Sequence, residues 1–201
     1  MSTIISGSSP SVTFSDGSTQ ASAASSAMTL ISTQTASSSS SLSWTGLSGY
    51  DKYLLIIENA TPSTASGFYC QIGTGSGPTY KTTGYASGLQ KAQTGTNGSF
   101  QTVTEANYNS SSDSNFYVGG WSGNPTTTSF VNSSVLFSGI LSNVGVFMTT
   151  NNYTYDSTAP FYEADIVSGF VPISANVTAL KIYISGGNIT SGKASLYGIS
   201  S

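Results

Sequence analysis

The chain has no histidine, no arginine and one cysteine among 201 residues. Its charged side chains are five lysines and eight acids, for a net charge of −3. Catalysis near neutral pH generally recruits a group that titrates there, a metal, or a cation that clamps developing negative charge. Histidine serves the first two tasks most often, and arginine favours the third. Their absence argues against an enzyme and against a resident cofactor or metal; it points to a scaffold or a binding surface. Cys70 is alone, so no intrachain disulfide can form. Five scattered lysines cannot supply the phosphate contacts that dominate nucleic-acid affinity, so no nucleic-acid partner is expected. No apolar run approaches the roughly 20 residues of a membrane span, so none is expected to insert. No charged segment followed by an apolar one opens the chain, so no signal peptide is expected.

What is present is enough for a core. Apolar residues make up 37%, and there are twelve Tyr, nine Phe and two Trp. Polarity comes from Ser, Thr, Asn and Gly rather than from ions. Disordered chains combine low hydrophobicity with high net charge, and this chain shows neither. A chain of this length can bury roughly 70% of its extended surface in one domain.

Residues 1–27 differ in character from the rest. Ser11–Phe14 reads as a short strand and Ser15–Ser18 as a turn, with Asp16-Gly17 where a tight reversal needs them. An Ala/Ser stretch, Ala21–Ala27, follows as a linker or a short helical turn. From Met28 to Ser201 short apolar runs alternate with Gly, Asn, Pro, Ser and Asp clusters. That rhythm predicts an all-β antiparallel sandwich, jelly-roll-like, preceded by a short extended N-terminal segment. The expected strands are 29–33, 40–45, 53–59, 68–73, 100–104, 116–119, 134–141, 145–149, 161–171, 179–185 and 193–197. Phe68, Cys70 and Ile72 share one face, as do Leu180, Ile182 and Ile184. Leu54–Ile57 is apolar at every position, which suggests cover on both sides. Tyr85–Lys91 is the best remaining helix candidate, weakened by Gly88. Residues 92–99 and 105–115 read as surface loops.

The chemistry-bearing patterns are thin. A serine nucleophile lacks its base. Gly73, Gly75 and Gly77 are followed by Pro78-Thr79-Tyr80-Lys81, not by the Gly-Lys-Ser/Thr of a phosphate loop, so a hairpin is expected there. Glu163 and Asp165 would share one strand face. They suggest a two-carboxylate glycosidase or, with Asp156, a weak cation site, against the plain reading of a solvated strand face. Tyr80, Tyr85, Tyr108, Trp121, Tyr153 and Tyr155 fall in apparent loops. Of these, Tyr80, Tyr85, Trp121 and Tyr153 are candidates to stack on a host cell-surface glycan, against rim cover or subunit packing.

Several segments resemble the β-domains of tailed-bacteriophage virion proteins. Val12-Thr-Phe-Ser-Asp-Gly-Ser-Thr-Gln20 is similar to a strand–turn segment near the start of many phage tail and fibre proteins. Thr29 to Leu47, ending in Trp-Thr-Gly-Leu, resembles the opening of a phage structural β-domain. Tyr53 to Pro62 and Gly187 to Ile199 are similar to its buried strand and its closing strand. Ser15 departs from the proline common before Asp-Gly. The resemblance covers about a third of the chain and leaves 80–170 unplaced. It implies a non-enzymatic virion surface component, either a small tail or head fibre or a capsid decoration protein. Such a component is commonly a trimer, anchored to other virion proteins by residues 1–27 and assembled in the bacterial host cytoplasm. Val12, Phe14 and Leu30 are then the expected assembly contacts. A carbohydrate-binding module is the alternative, and a polysaccharide-degrading enzyme using Glu163 and Asp165 is a third possibility.

Overall fold

A computed structural model describes residues 4–5, 12–20, 27–94, 100–120, 129–156 and 161–200. The described residues are strands and turns. Three short strands, β1 (Ile4–Ile5), β2 (Val12–Thr13) and β3 (Thr19–Gln20), form a small antiparallel sheet. The expected turn at Asp16-Gly17 joins β2 to β3. Gly17 takes φ +83°, a conformation that favours glycine. Asp16 Oδ1 accepts from the Ser18 N–H at 2.9 Å and the Ser18 hydroxyl at 2.6 Å, which holds its carboxyl below the usual range. Most of the Ala21–Ala27 stretch lies outside the described residues.

The strands that follow are β4 (Met28–Thr35), β5 (Ser41–Thr45), β6 (Lys52–Pro62), β7 (Phe68–Thr74), β8 (Thr79–Tyr80), β9 (Tyr85–Thr94) and β10 (Phe100–Asp113). The chain continues through β11 (Phe116–Gly119), β12 (Phe130–Ser138), β13 (Gly145–Asp156), β14 (Phe161–Pro172), β15 (Val177–Ile184) and β16 (Ile189–Ile199). Eight strands form one antiparallel sheet in the order β10-β9-β14-β13-β12-β6-β16-β4. A second sheet runs β11-β7-β15-β5, with β8 paired to β7.

The pairing is that of a jelly roll. Set β8, β9, β10, β13 and β14 aside, and eight strands remain. First pairs with last (β4·β16), second with seventh (β5·β15), third with sixth (β6·β12) and fourth with fifth (β7·β11). The long hairpin then rolls up as β16 pairs β6 and β15 pairs β7. The strands set aside are two insertions. One follows β7 and the other follows β12; β8 pairs back onto β7, while β9, β10, β13 and β14 all add to the same flank of the large sheet, beyond β12.

Alternation places the core between the sheets. Phe68, Cys70 and Ile72 are buried, as their shared face requires, and so are Leu180, Ile182 and Ile184. Tyr53, Leu55 and Ile57 of β6 point inward and are buried, while Leu54 and Ile56 face outward and are half-buried. The expected cover on both sides of this run is therefore incomplete within one chain.

Two expectations fail in the insertions. Tyr85–Lys91 is strand, not helix, and 92–94 and 105–113 are strand, not loop; 95–99 lie outside the described residues. Pairing decides both: β9 is hydrogen-bonded to β14 on one side and β10 on the other. Tyr85, Ser87, Leu89 and Lys91 alternate toward the interior, but two of those four are polar, and that masks the period of two.

Candidate functional site

Polarity is inverted where the insertions extend the large sheet. Along β14, Glu163, Asp165 and Val167 point inward and are buried, whereas Tyr162, Ala164 and Ile166 face solvent. Along β13, Thr150, Asn152 and Thr154 are buried while Tyr153 is exposed. An ordinary half-buried strand does the opposite.

The buried side forms a polar row across four strands. Lys91 of β9 pairs in register with Asp165 of β14, Asp165 with Asn152 of β13, and Asn152 with Ser133 of β12. The Ser133 hydroxyl donates to Asn152 Oδ1 at 2.5 Å. Asn152 Nδ2 donates to Thr154 Oγ1 at 3.0 Å and to Asp165 Oδ2 at 3.3 Å. Lys91 Nζ lies 3.2 Å from Glu163 Oε2, an ion pair by distance that falls short of an aligned hydrogen bond. Burial pushes the Glu163 carboxyl up to about 8. The neighbouring Asp165 adds to that shift and Lys91 opposes it. Glu163 and Asp165 thus share a face as the sequence implies, but that face is interior, not solvated. Among the described residues no group of three His, Cys, Asp or Glu could hold a metal ion.

The outward side carries an aromatic cluster. Phe130 of β12 lies 5.6 Å from Tyr155 and 6.5 Å from Tyr153, both of β13. Tyr162 of β14 lies 5.1 Å from Tyr155 and 6.2 Å from Tyr153. Desolvation first, then Tyr162 and Tyr155, hold the Tyr153 hydroxyl above its usual range. Beside Tyr153 a shallow groove of about 360 Å³ is lined by Ile56, Glu58, Asn132, Ser134 and Asn151. Asn132 Oδ1 accepts from the Asn59 N–H at 2.8 Å, which fixes that amide at the rim. Farther along the same face Phe147 packs on Phe170 with ring centres 4.8 Å apart. Leu136, Phe147 and Ile166 remain exposed.

The described candidate glycan contacts do not converge. Tyr85 is wholly buried at the start of β9, its ring edge-on to Phe116 at 4.8 Å. Its hydroxyl accepts from the Ile72 N–H at 2.9 Å and donates to the Lys81 carbonyl at 3.2 Å. It has no face to offer a sugar, because a tyrosine at this register enters the core. Tyr80 of β8 is covered by Lys181 Nζ, 4.3 Å from its ring centre. Trp121 lies outside the described residues. Tyr153 alone of the described three is exposed with room beside it. Phe130 and Tyr162 are partners that the sequence does not single out, and Tyr155 is a strand residue rather than a loop aromatic; the Tyr153/Tyr155 alternation along β13 is the signal. Gly73, Gly75 and Gly77 sit at the end of β7 and in its turn to β8, the expected hairpin. Of the expected assembly contacts, Phe14 and Leu30 are about half exposed, and the Val12 side chain is outside the description.

No family model, no curated protein and no solved structure matches this chain.

Proposed function

We propose that this chain is a non-enzymatic structural protein of a tailed-bacteriophage virion, displayed on the particle surface as a homo-oligomer. Residues 1–27 would dock it to a capsid or tail protein, and a trimer is the oligomer the segment resemblance implies. The observation that carries the reading is the outward face of the large sheet. Leu136, Phe147, Tyr153, Tyr162 and Ile166 are exposed there, and the strands that carry Tyr153, Tyr162 and Ile166 turn Thr150, Asn152, Thr154, Glu163 and Asp165 inward. Large apolar patches on soluble proteins mark contact surfaces. An eight-strand roll with few charges also suits persistence outside a cell, since it has few ion pairs for salt to screen. Antibody raised against the chain should decorate intact tailed-phage particles at a fixed site on head or tail. Absence of the chain from purified particles would refute the proposal.

A second reading rests on the groove beside Tyr153. An aromatic wall with Asn132, Asn151 and Glu58 nearby can stack on a sugar ring and hydrogen-bond its hydroxyls. Binding to a glycan array that is lost in Tyr153→Ala would support host-glycan recognition; equal binding by that variant would exclude the groove.

A further inference from the structure

We propose that Lys91 and Glu163 join in a side-chain amide, formed by the folded chain itself, with Asp165 carrying the proton. Three of the chain's few charged side chains meet here, in the interior of the large sheet. Lys91 Nζ lies 3.2 Å from Glu163 Oε2 on the adjacent strand, so the carboxyl carbon to be attacked is one bond beyond the contacted oxygen. Lys91 is only 12% exposed and Glu163 is not exposed at all. Asp165, one strand repeat along on the same face, is held by the Asn152 amide at 3.3 Å.

The chemistry balances without any other reactant. A proton passes from ammonium to carboxylate and leaves a neutral amine beside a carboxylic acid; burial, which penalises separated charge, favours that form. The raised affinity of Glu163 for its proton agrees with it. The Nζ lone pair attacks Cδ of Glu163 and the N–C bond forms. Asp165 takes a proton from the nitrogen and returns it to the departing hydroxyl. The C–O bond breaks and one water leaves. Nothing is oxidised or reduced. The product replaces a buried ion pair, a weak contributor to stability, with a neutral cross-strand bond. In register, Thr154 of β13 lies opposite Glu163 and Asn152 opposite Asp165, while Val103 of β10 lies opposite Lys91 and Glu105 opposite Leu89.

Intact-mass spectrometry of the purified, folded full chain tests the proposal. After allowance for removal of Met1, the expected mass is one water below that of the sequence, and it survives denaturation. A lysine-specific protease should fail to cut after Lys91. A chymotryptic digest should yield a branched peptide joining the Lys91 segment to residues 163–170, with the branch at Glu163. Lys91→Met should restore the full mass, and Asp165→Asn should leave most molecules unjoined. A wild-type protein at full sequence mass that is cut after Lys91 overturns the proposal. Water loss that persists in Lys91→Met also overturns it, because dehydration at Asp16-Gly17 would give the same mass. A branch at Asp165 overturns the assignment of Glu163. The wild-type digest decides the question even if a variant fails to fold.

Discussion

Gly119 is the residue on which the inner polar row most closely depends. Its φ is +133°, and a Cβ placed on it would come within 2.4 Å of Asn152 Cγ. The backbone of β11 therefore lies directly on the amide that orients Asp165. Gly119→Ala should lower stability by about 1–3 kcal/mol from backbone strain, with overpacking added, read as a lower urea midpoint. Tyr85 is a second pivot, because its hydroxyl serves the backbone of both β7 and the turn before β9. Tyr85→Phe would strand the buried Ile72 N–H, and should cost about 1–3 kcal/mol in the same measurement. A pH prediction follows for Glu163. In Lys91→Met no amide can form and the opposing cation is gone. The carboxyl then holds its proton more tightly folded than unfolded, so its contribution weakens as pH rises. The unfolding midpoint of that variant should fall from pH near 4.5 through about 8 and beyond. A flat profile across that window would show that the carboxyl is not buried as described. The groups facing it are Lys91 from β9 and Asp165 from its own strand, with Asn152 and Thr154 from β13.

At the scale of elements, strands were legible wherever their inward residues were apolar. Phe116–Gly119 was read with its observed bounds, and β7 and β15 showed their faces plainly, because Phe68/Cys70/Ile72 and Leu180/Ile182/Ile184 alternate with nothing to interrupt them. Legibility fails in the insertions, for a physical reason. In Phe161-Tyr-Glu-Ala-Asp-Ile-Val167 the period of two is visible, but hydrophobicity assigns its faces backwards. Tyr162, Ala164 and Ile166 look like core and stand outside, while Glu163 and Asp165 look like surface and lie inside. β9 was lost because Ser87 and Lys91 break its inward apolar series, so that the Ala, Leu and Lys of that stretch suggested a helix. Pairing on both edges overrode that local preference. The candidate site inherited these errors. Its aromatics were placed in loops, yet Tyr153 and Tyr155 are strand residues on one face of β13.

Seen as a whole molecule, the chain is a roll with an extra flank, and the flank exposes Phe147, Tyr153, Tyr162 and Ile166 on one face, next to Leu136 of β12. If that surface packs against further copies, charge placed there should separate them without unfolding any one of them. The double variant Phe147→Lys/Ile166→Lys should run as a monomer in light-scattering chromatography where the wild type runs as an oligomer. Its unfolding free energy, measured at the monomer, should fall by no more than about 1.5 kcal/mol, the loss of the Phe147–Phe170 contact, because both sites are otherwise exposed. A monomeric wild type would remove the argument from this face.

The pairing of β4 with β16 has a mechanical consequence. Met28 lies opposite Ile199, and the Ser200 N–H still reaches the Ala27 carbonyl at 3.1 Å. The two ends of the roll therefore leave it side by side. Tension applied between them loads one ladder rung at a time, as a zipper is loaded, and β4 should peel away under modest force while the remaining strands bear no strain. A tether through the N-terminal segment holds best when the opposing pull enters elsewhere, across the broad sheet, where many rungs share the load in shear.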